Sequence, residues 1–251
     1  MFGSGDVGPP RRDRRRPPRS VGTDRFRLRD RLDIGADAVY VVDRAGASPR
    51  QVISALHTPL GISAPCDHCT PASAMSAAIV SFRPDGSDVR VDASGIRAPI
   101  GLAYVPGTSD LLVTMNQRDD LGSKTPGDWP ALVHRGDRWG FPDCYGQGGS
   151  VCAGVPSPVA VLDKHAAVDG LVILTGQLGA RFGRSALVAE WASGEVQRVT
   201  LDKRGSRYAG AVIPFLTGLK NPVPLAVGAD DAVLVGDWTA GAIYQVTATA
   251  G

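Results

Sequence analysis

The sequence predicts an all-β protein, and three observations carry the prediction. Glycine and proline punctuate the chain (31 and 19 of 251 residues), while aromatics stay at 6%. The apolar runs between these breaks are short and rich in β-branched residues, as strands are. No segment keeps a 3.6-residue apolar stripe over several turns, so no helix bundle is expected.

The runs follow one another from Ala36 onward, at 38–42, 51–55, 78–82, 89–91, 100–105, 111–115, 131–134, 171–174, 186–189, 196–201, 223–227, 232–235 and 243–247. Turn sequences separate them: Pro84-Asp85-Gly86, Pro106-Gly107, Arg135-Gly136-Asp137 and residues 202–205 and 229–231. Internal repeats sharpen the pattern into an architecture. Gly95-Ile-Arg-Ala-Pro-Ile-Gly-Leu-Ala103 matches Gly218-Leu-Lys-Asn-Pro-Val-Pro-Leu-Ala226 at an offset of 123. Leu56-His-Thr-Pro-Leu-Gly-Ile62 is a third copy, its Pro59 lying 40 residues before Pro99. Ile79–Val91 and Val196–Tyr208 resemble each other as strand, charged glycine turn and return strand. A repeat of about 40 residues holding several antiparallel strands is the size of a propeller blade, and four to five such units fit in the body. The copy after Pro59 lacks its second strand and runs instead into Ser63-Ala-Pro-Cys-Asp-His-Cys-Thr70.

Charge divides the chain in two. Residues 1–32 hold ten arginines against four aspartates, so the net charge of +2 comes wholly from this head. Residues 1–35, rich in arginine and proline, are expected to be a disordered extension, and 36–251 the propeller domain. The remaining body is slightly acidic, which argues against a nucleic-acid face. No apolar run reaches 18 residues, which excludes a membrane-spanning helix. No apolar stretch follows the N-terminal arginines, so no signal peptide is read.

The motifs carry a resemblance. The Gly95–Leu102 stretch, Val113-Thr-Met-Asn-Gln-Arg-Asp-Asp-Leu-Gly122, Trp139-Gly-Phe-Pro-Asp-Cys-Tyr-Gly146 and Gly236-Asp-Trp-Thr-Ala-Gly-Ala-Ile-Tyr-Gln-Val246 resemble, in this order, the glucose/sorbosone dehydrogenase family. Asp67-His68 between Cys66 and Cys69 resembles its sorbosone-type branch. The resemblance spans roughly residues 60–248. It implies a six-bladed β-propeller, usually exported, that oxidises sugars with pyrroloquinoline quinone (PQQ) and calcium. Members are commonly much longer, so the chain is expected to be the C-terminal part of such a propeller with an opening blade missing or shortened.

By that resemblance Arg97, Asn116, Arg118 and Asp119 would bind the cofactor, Asp128 would ligate calcium, and His165 would be the catalytic group. The sequence also departs from the family. Ala98 stands where it has asparagine, and Trp129 and Ala131 replace a glutamate and an asparagine near Asp128. Lys220–Val223 replaces late arginines, and the early general-base histidine has no counterpart. Each residue also has a plainer reading: His165 as a hydrogen-bonded loop histidine, Arg118–Asp120 as a solvated turn. Cys66–Cys69 and Cys144–Cys152 are expected as two local disulfides in an exported protein and as free thiols in the cytosol. His68 between two cysteines does not complete a zinc site, because Cys144 and Cys152 are spaced too far apart. Gly146–Ser150 lacks the lysine of a phosphate loop and is expected to be a flexible connector that precedes no helix. No Gly-x-Ser-x-Gly or His-Glu-x-x-His occurs, so hydrolase chemistry has no anchor. Three readings follow: quinone-dependent oxidation of a sugar, a non-catalytic propeller that binds a carbohydrate or protein partner, or an inactive truncated family member.

Overall fold

A computed structural model describes residues 37–41, 48, 50–56, 70–71, 73–228 and 231–248. Two hairpins come first: β1 (Asp37–Val41) with β2 (Arg50–Leu56), and β3 (Ala78–Ser81) with β4 (Arg90–Ser94). Next, β5 (Pro99–Tyr104), β6 (Leu111–Met115) and β7 (Trp129–Val133) form a three-stranded sheet. After it come β8 (Val168–Ile173), a short helix α1 (Gly176–Phe182), β9 (Ser185–Glu190) and β10 (Glu195–Thr200). The hairpin β11 (Asp202–Arg204) and β12 (Arg207–Ala209) interrupts this sheet, and β13 (Val212–Leu216) returns to pair with β10 as its fourth strand. A last three-stranded sheet holds β14 (Pro222–Val227), β15 (Val233–Asp237) and β16 (Ala242–Val246). All pairings among these strands are antiparallel, and successive strands are neighbours, as in the blades of a partial propeller.

Strands β6, β7, β9 and β15 are buried on both faces, which is why they read as apolar runs rather than as alternations. Leu112 faces a cluster with Leu171, Ile173, Ala186 and Val188, so this cluster joins the β5–β7 blade to the β8 blade. Its neighbours Val113 and Met115 point the other way, toward Ile79, Ala93 and Ile96. On β8 and β9 the alternation repeats: Val172 and Leu187 meet Val233 and Val235 of the next blade. All six residues of β9 are buried.

The three large blades share one register. Their first strands open with the pairs Pro99–Met115, Val168–Glu190 and Pro222–Asp237, and each then breaks register before Leu102, Leu171 and Leu225. These first strands also pack on one another, β5 on β8 and β8 on β14. Their backbones meet at glycine. A Cβ on Gly101 would lie 2.5 Å from the Asp169 carbonyl oxygen, and a Cβ on Gly170 would lie 2.5 Å from that of Val223 and 2.6 Å from the Leu225 nitrogen. The contact is tightened by Thr114, whose hydroxyl accepts from Gly101 N (2.7 Å) and donates to Asp169 O (2.9 Å).

Four features differ from the sequence expectation. Residues 202–205 are not a simple turn: 202–204 is a strand, and the reversal falls at Gly205, whose φ of 64° is left-handed. The strand Val212–Leu216 was not expected, being an exposed edge with Pro214 at its centre. Helix α1 breaks the all-strand pattern, but its seven residues are too few to print a stripe. Residues 146–150 lead directly into a 3-10 turn, Ser150–Cys152. The Pro59 copy of the repeat lies outside the described residues, as does the Arg/Pro-rich head.

The glycine contact generates a stability test. Gly101→Ala and Gly170→Ala each force two blade backbones apart, with an expected cost of about 1–3 kcal/mol as for other overpacked sites. Urea unfolding reads it as a lowered midpoint; wild-type midpoints in both variants would remove the hub from its structural role.

Candidate functional site

Because the first strands stack in register, the residue before each one and the residue after each second strand fall on a common rim. The backbone repeats one hydrogen bond there in all three blades. Asn116 N donates to Ala98 O (3.3 Å), Trp191 N to Ala167 O (3.0 Å) and Trp238 N to Asn221 O (2.9 Å). Side-chain amides then stitch blade to blade: Asn116 Nδ2 donates to Val168 O (2.8 Å) and Asn221 Nδ2 to Trp191 O (2.9 Å). Ala98, His165 and Ala167 adopt left-handed φ of 39°, 57° and 52°, and non-glycine residues so held cluster at functional sites.

The sequence-picked residues meet on this rim, in two groups. Arg97, Asn116, Arg118 and Asp128 are turned into the protein. Arg97 Nη1 donates to the carbonyls of Asn116 (2.9 Å) and Gln117, bracing the loop after β6. Arg118 makes a two-pronged pair with Asp120 (2.8 and 2.6 Å) and lies 4.7 Å from the Tyr145 ring centre. Tyr145 sits in a loop closed by the Cys144–Cys152 disulfide and braced by Gln147, which accepts from Tyr145 N and donates to Asp143 O. The stretch expected as a flexible connector is therefore cross-linked. Cys66, His68 and Cys69 lie outside the described residues.

Asp128 is buried, yet each of its oxygens has a backbone donor: Gln117 N at 2.6 Å and Ala167 N at 2.9 Å. Burial pushes its carboxyl up to about 6, with Asp119 adding to the rise and the backbone donors opposing it. The carboxylate thus ties the loop after β6 to the start of β8. Asp169, half-buried on β8, is pushed to about 6 by burial.

His165 and Asp119 form the second group. His165 Nδ1 lies 2.9 Å from Asp119 Oδ1, and both side chains remain open to solvent (46% and 60%). Lys164, beside His165, donates to Ser123 O (2.9 Å), which fixes the loop that presents the imidazole. With Nδ1 held by a carboxylate, the imidazole can present Nε2 outward as an acceptor.

Residues overlooked in the sequence complete the rim. Gln117 and Tyr145 lie inside quoted motifs but carry no role there, and Asp169 lies in none. Trp191 and Trp238 did have a signal: Glu190-Trp-Ala-Ser-Gly194 repeats as Asp237-Trp-Thr-Ala-Gly241, with the glycine left-handed in both.

The residues do not fit the two groups the resemblance implies. Among the described residues, no cluster of three or more His, Cys, Asp or Glu is placed to hold a metal ion, and both Asp128 oxygens already accept backbone N–H groups. Arg97 and Arg118 already serve carbonyls and Asp120, so they are not arrayed as a clamp for quinone carboxylates. Among the described residues no helix is long and apolar enough to cross a membrane.

The fold matches solved sugar dehydrogenases. One glucose dehydrogenase structure shares 19% identity over 70% of this chain and 55% of its own, with a TM-score of 0.59. An oxidoreductase described as a glucose dehydrogenase, from Thermus thermophilus, shares 22% over 64% of this chain and 49% of its own (TM-score 0.55). The soluble aldose sugar dehydrogenase of Escherichia coli, in its apo form, shares 19% over 64% and 51% (TM-score 0.52). This chain spans about half the length of these structures, and at these identities the likeness is one of fold. No family model and no curated protein matches the sequence.

Asp128 generates a pH test. Its folded carboxyl keeps a proton up to about 6 against an ordinary 3.8, so folding takes up a proton between these values and stability falls as pH rises through them. The span corresponds to on the order of 2–3 kcal/mol. Asp128→Asn removes this contribution, but its amide nitrogen faces one of the two backbone donors. Near pH 4 the variant is expected to be about 1–3 kcal/mol less stable for the lost acceptor, and urea unfolding should show a shallower loss of stability from pH 4 to 6, so that the deficit closes as pH rises.

Proposed function

We propose that this chain is a carbohydrate-binding propeller on a sugar-dehydrogenase fold, recognising sugar hydroxyls through His165 and Asp119. The single observation that supports this is the solvent-open His165–Asp119 pair, on a rim whose arginines and buried aspartate are committed to holding loops. An imidazole and a carboxylate side by side offer a donor–acceptor set matched to adjacent hydroxyls, and sugar recognition is mostly hydrogen bonding of that kind. Fold likeness to sugar dehydrogenases is in keeping with a sugar ligand but carries no activity by itself.

A second reading has its own support. The 2.9 Å contact with Asp119 would orient His165 as a general base, so oxidation of a sugar with added PQQ and calcium is the alternative. The protein mixed with PQQ, calcium and a panel of aldoses is expected to reduce no dye, while at least one sugar raises its melting temperature. His165→Ala and Asp119→Asn are each expected to weaken that sugar about tenfold, the loss of one or two hydrogen bonds. Dye reduction that disappears in His165→Ala would replace binding by catalysis.

A further inference from the structure

Two tryptophans stand out to solvent on the rim, Trp191 at 42% exposure and Trp238 at 77%. A large aromatic left in water costs burial energy, and exposed apolar surface of this kind marks a contact site. Three observations set this pair apart from two chance surface residues. They occupy equivalent positions, each directly after the buried acid that ends a second strand, Glu190 or Asp237. They are joined through one residue: Asn221 Nδ2 donates to Trp191 O, and Asn221 O accepts from Trp238 N. And their backbone is fixed: Asp237 accepts from the N–H groups of Lys220 (2.7 Å), Asn221 (3.1 Å) and Ala240 (3.1 Å), while Thr239 donates to Asn221 Oδ1 (2.6 Å). Burial raises the Asp237 carboxyl, but these donors outweigh it and hold it below its ordinary value, so it stays charged and keeps the turn closed.

We infer that Trp191 and Trp238 form a stacking subsite for a pyranose ring, so that the ligand is an oligosaccharide with one ring at His165–Asp119 and another on the tryptophans. The inference rests on the carbohydrate reading of the rim and extends it to ligand length. The two places are linked along the same edge: Trp191 N bonds Ala167 O, two residues from His165. The chemistry favours a sugar ring. Its C–H face is apolar and its edge is polar, which suits exposed indoles whose backbone neighbours include the polar residues Asn221 and Thr239.

The test is titration of the wild-type protein with glucose, xylose and N-acetylglucosamine and with the trisaccharide of each, followed by tryptophan fluorescence and calorimetry. At least one trisaccharide is expected to bind about tenfold or more tighter than its own monosaccharide and to quench fluorescence, a difference of about 1.4 kcal/mol. Trp238→Ala and Trp191→Ala should erase that difference and leave monosaccharide affinity unchanged, with Trp238→Phe retaining most of it. Both sites are solvent-facing, and an unchanged melting temperature establishes that the variants fold. Monosaccharide binding without a trisaccharide advantage overturns the tryptophan subsite and leaves the His165–Asp119 reading standing. A trisaccharide advantage that survives both alanine variants also overturns it. Absence of any saccharide binding overturns both readings. Self-association lost in Trp238→Ala, with no fluorescence response to sugar, overturns the subsite by assigning the pair to a protein contact.

Discussion

The contact on which the rest depends is backbone against backbone at the hub, where Gly101 meets Asp169 and Leu171 and Gly170 meets Val223 and Leu225. Neither glycine puts a side chain of its own into the contact, so the first strands of three blades lie close enough to fix one another's register, with the Thr114 hydroxyl bridging Gly101 and Asp169. A register fixed at one residue is fixed along the strand, because a slip of one would turn every buried side chain to the wrong face. Common ends follow from that. The residues at 98, 167 and 221 come to one edge, those at 116, 191 and 238 come beside them, and a single hydrogen bond repeats across all three blades. The rim is thus a consequence of the core rather than an addition to it.

The same logic explains why similar residues on this rim have different fates. Met115, Glu190 and Asp237 pair with the opening residues of the three first strands, and all three are buried. Met115 joins an apolar cluster. Asp237 is short enough to sit beneath three backbone N–H groups, and its proton affinity drops. Glu190 reaches further and finds the Ser193 hydroxyl and the Gln197 amide; burial wins there, Asp163 adds to it, and its carboxyl rises. One of its oxygens and the Gln197 carbonyl oxygen have no hydrogen-bond partner. A protonated Glu190 would supply a donor for such a pair, which is the direction that burial drives it. What decides the direction of the shift is the number of donors within reach, a matter of side-chain length at an equivalent position.

Strands buried on both faces were legible, because burial on both sides leaves an uninterrupted apolar run. The elements without that constraint were not. β11 and β12 are charged and mostly exposed, β13 is an edge with a proline, and α1 is two turns long. At the rim, chain position was legible and orientation was not: Arg97 before Pro99 reads the same whether its guanidinium faces a ligand or the Asn116 carbonyl. Asp128 was legible as a loop acid, but its two backbone donors arise from Gln117 and Ala167, one of them 39 residues away. The acid–tryptophan turns repeat in the sequence, and the exchange of Glu190 for Asp237 obscures the match.

The hub also marks where its own rule stops. The position equivalent to Gly101 and Gly170 in the third blade is Pro224, since Pro99, Val168 and Pro222 share one pairing position. Pro224 turns its ring onto its own blade, where a Cβ on Gly236 would lie 2.5 Å from the ring Cγ. A proline carries the Cβ that the two glycines omit, and it has no N–H to share. Backbone-to-backbone approach of the kind seen between β5, β8 and β14 is therefore sterically closed on the far side of β14.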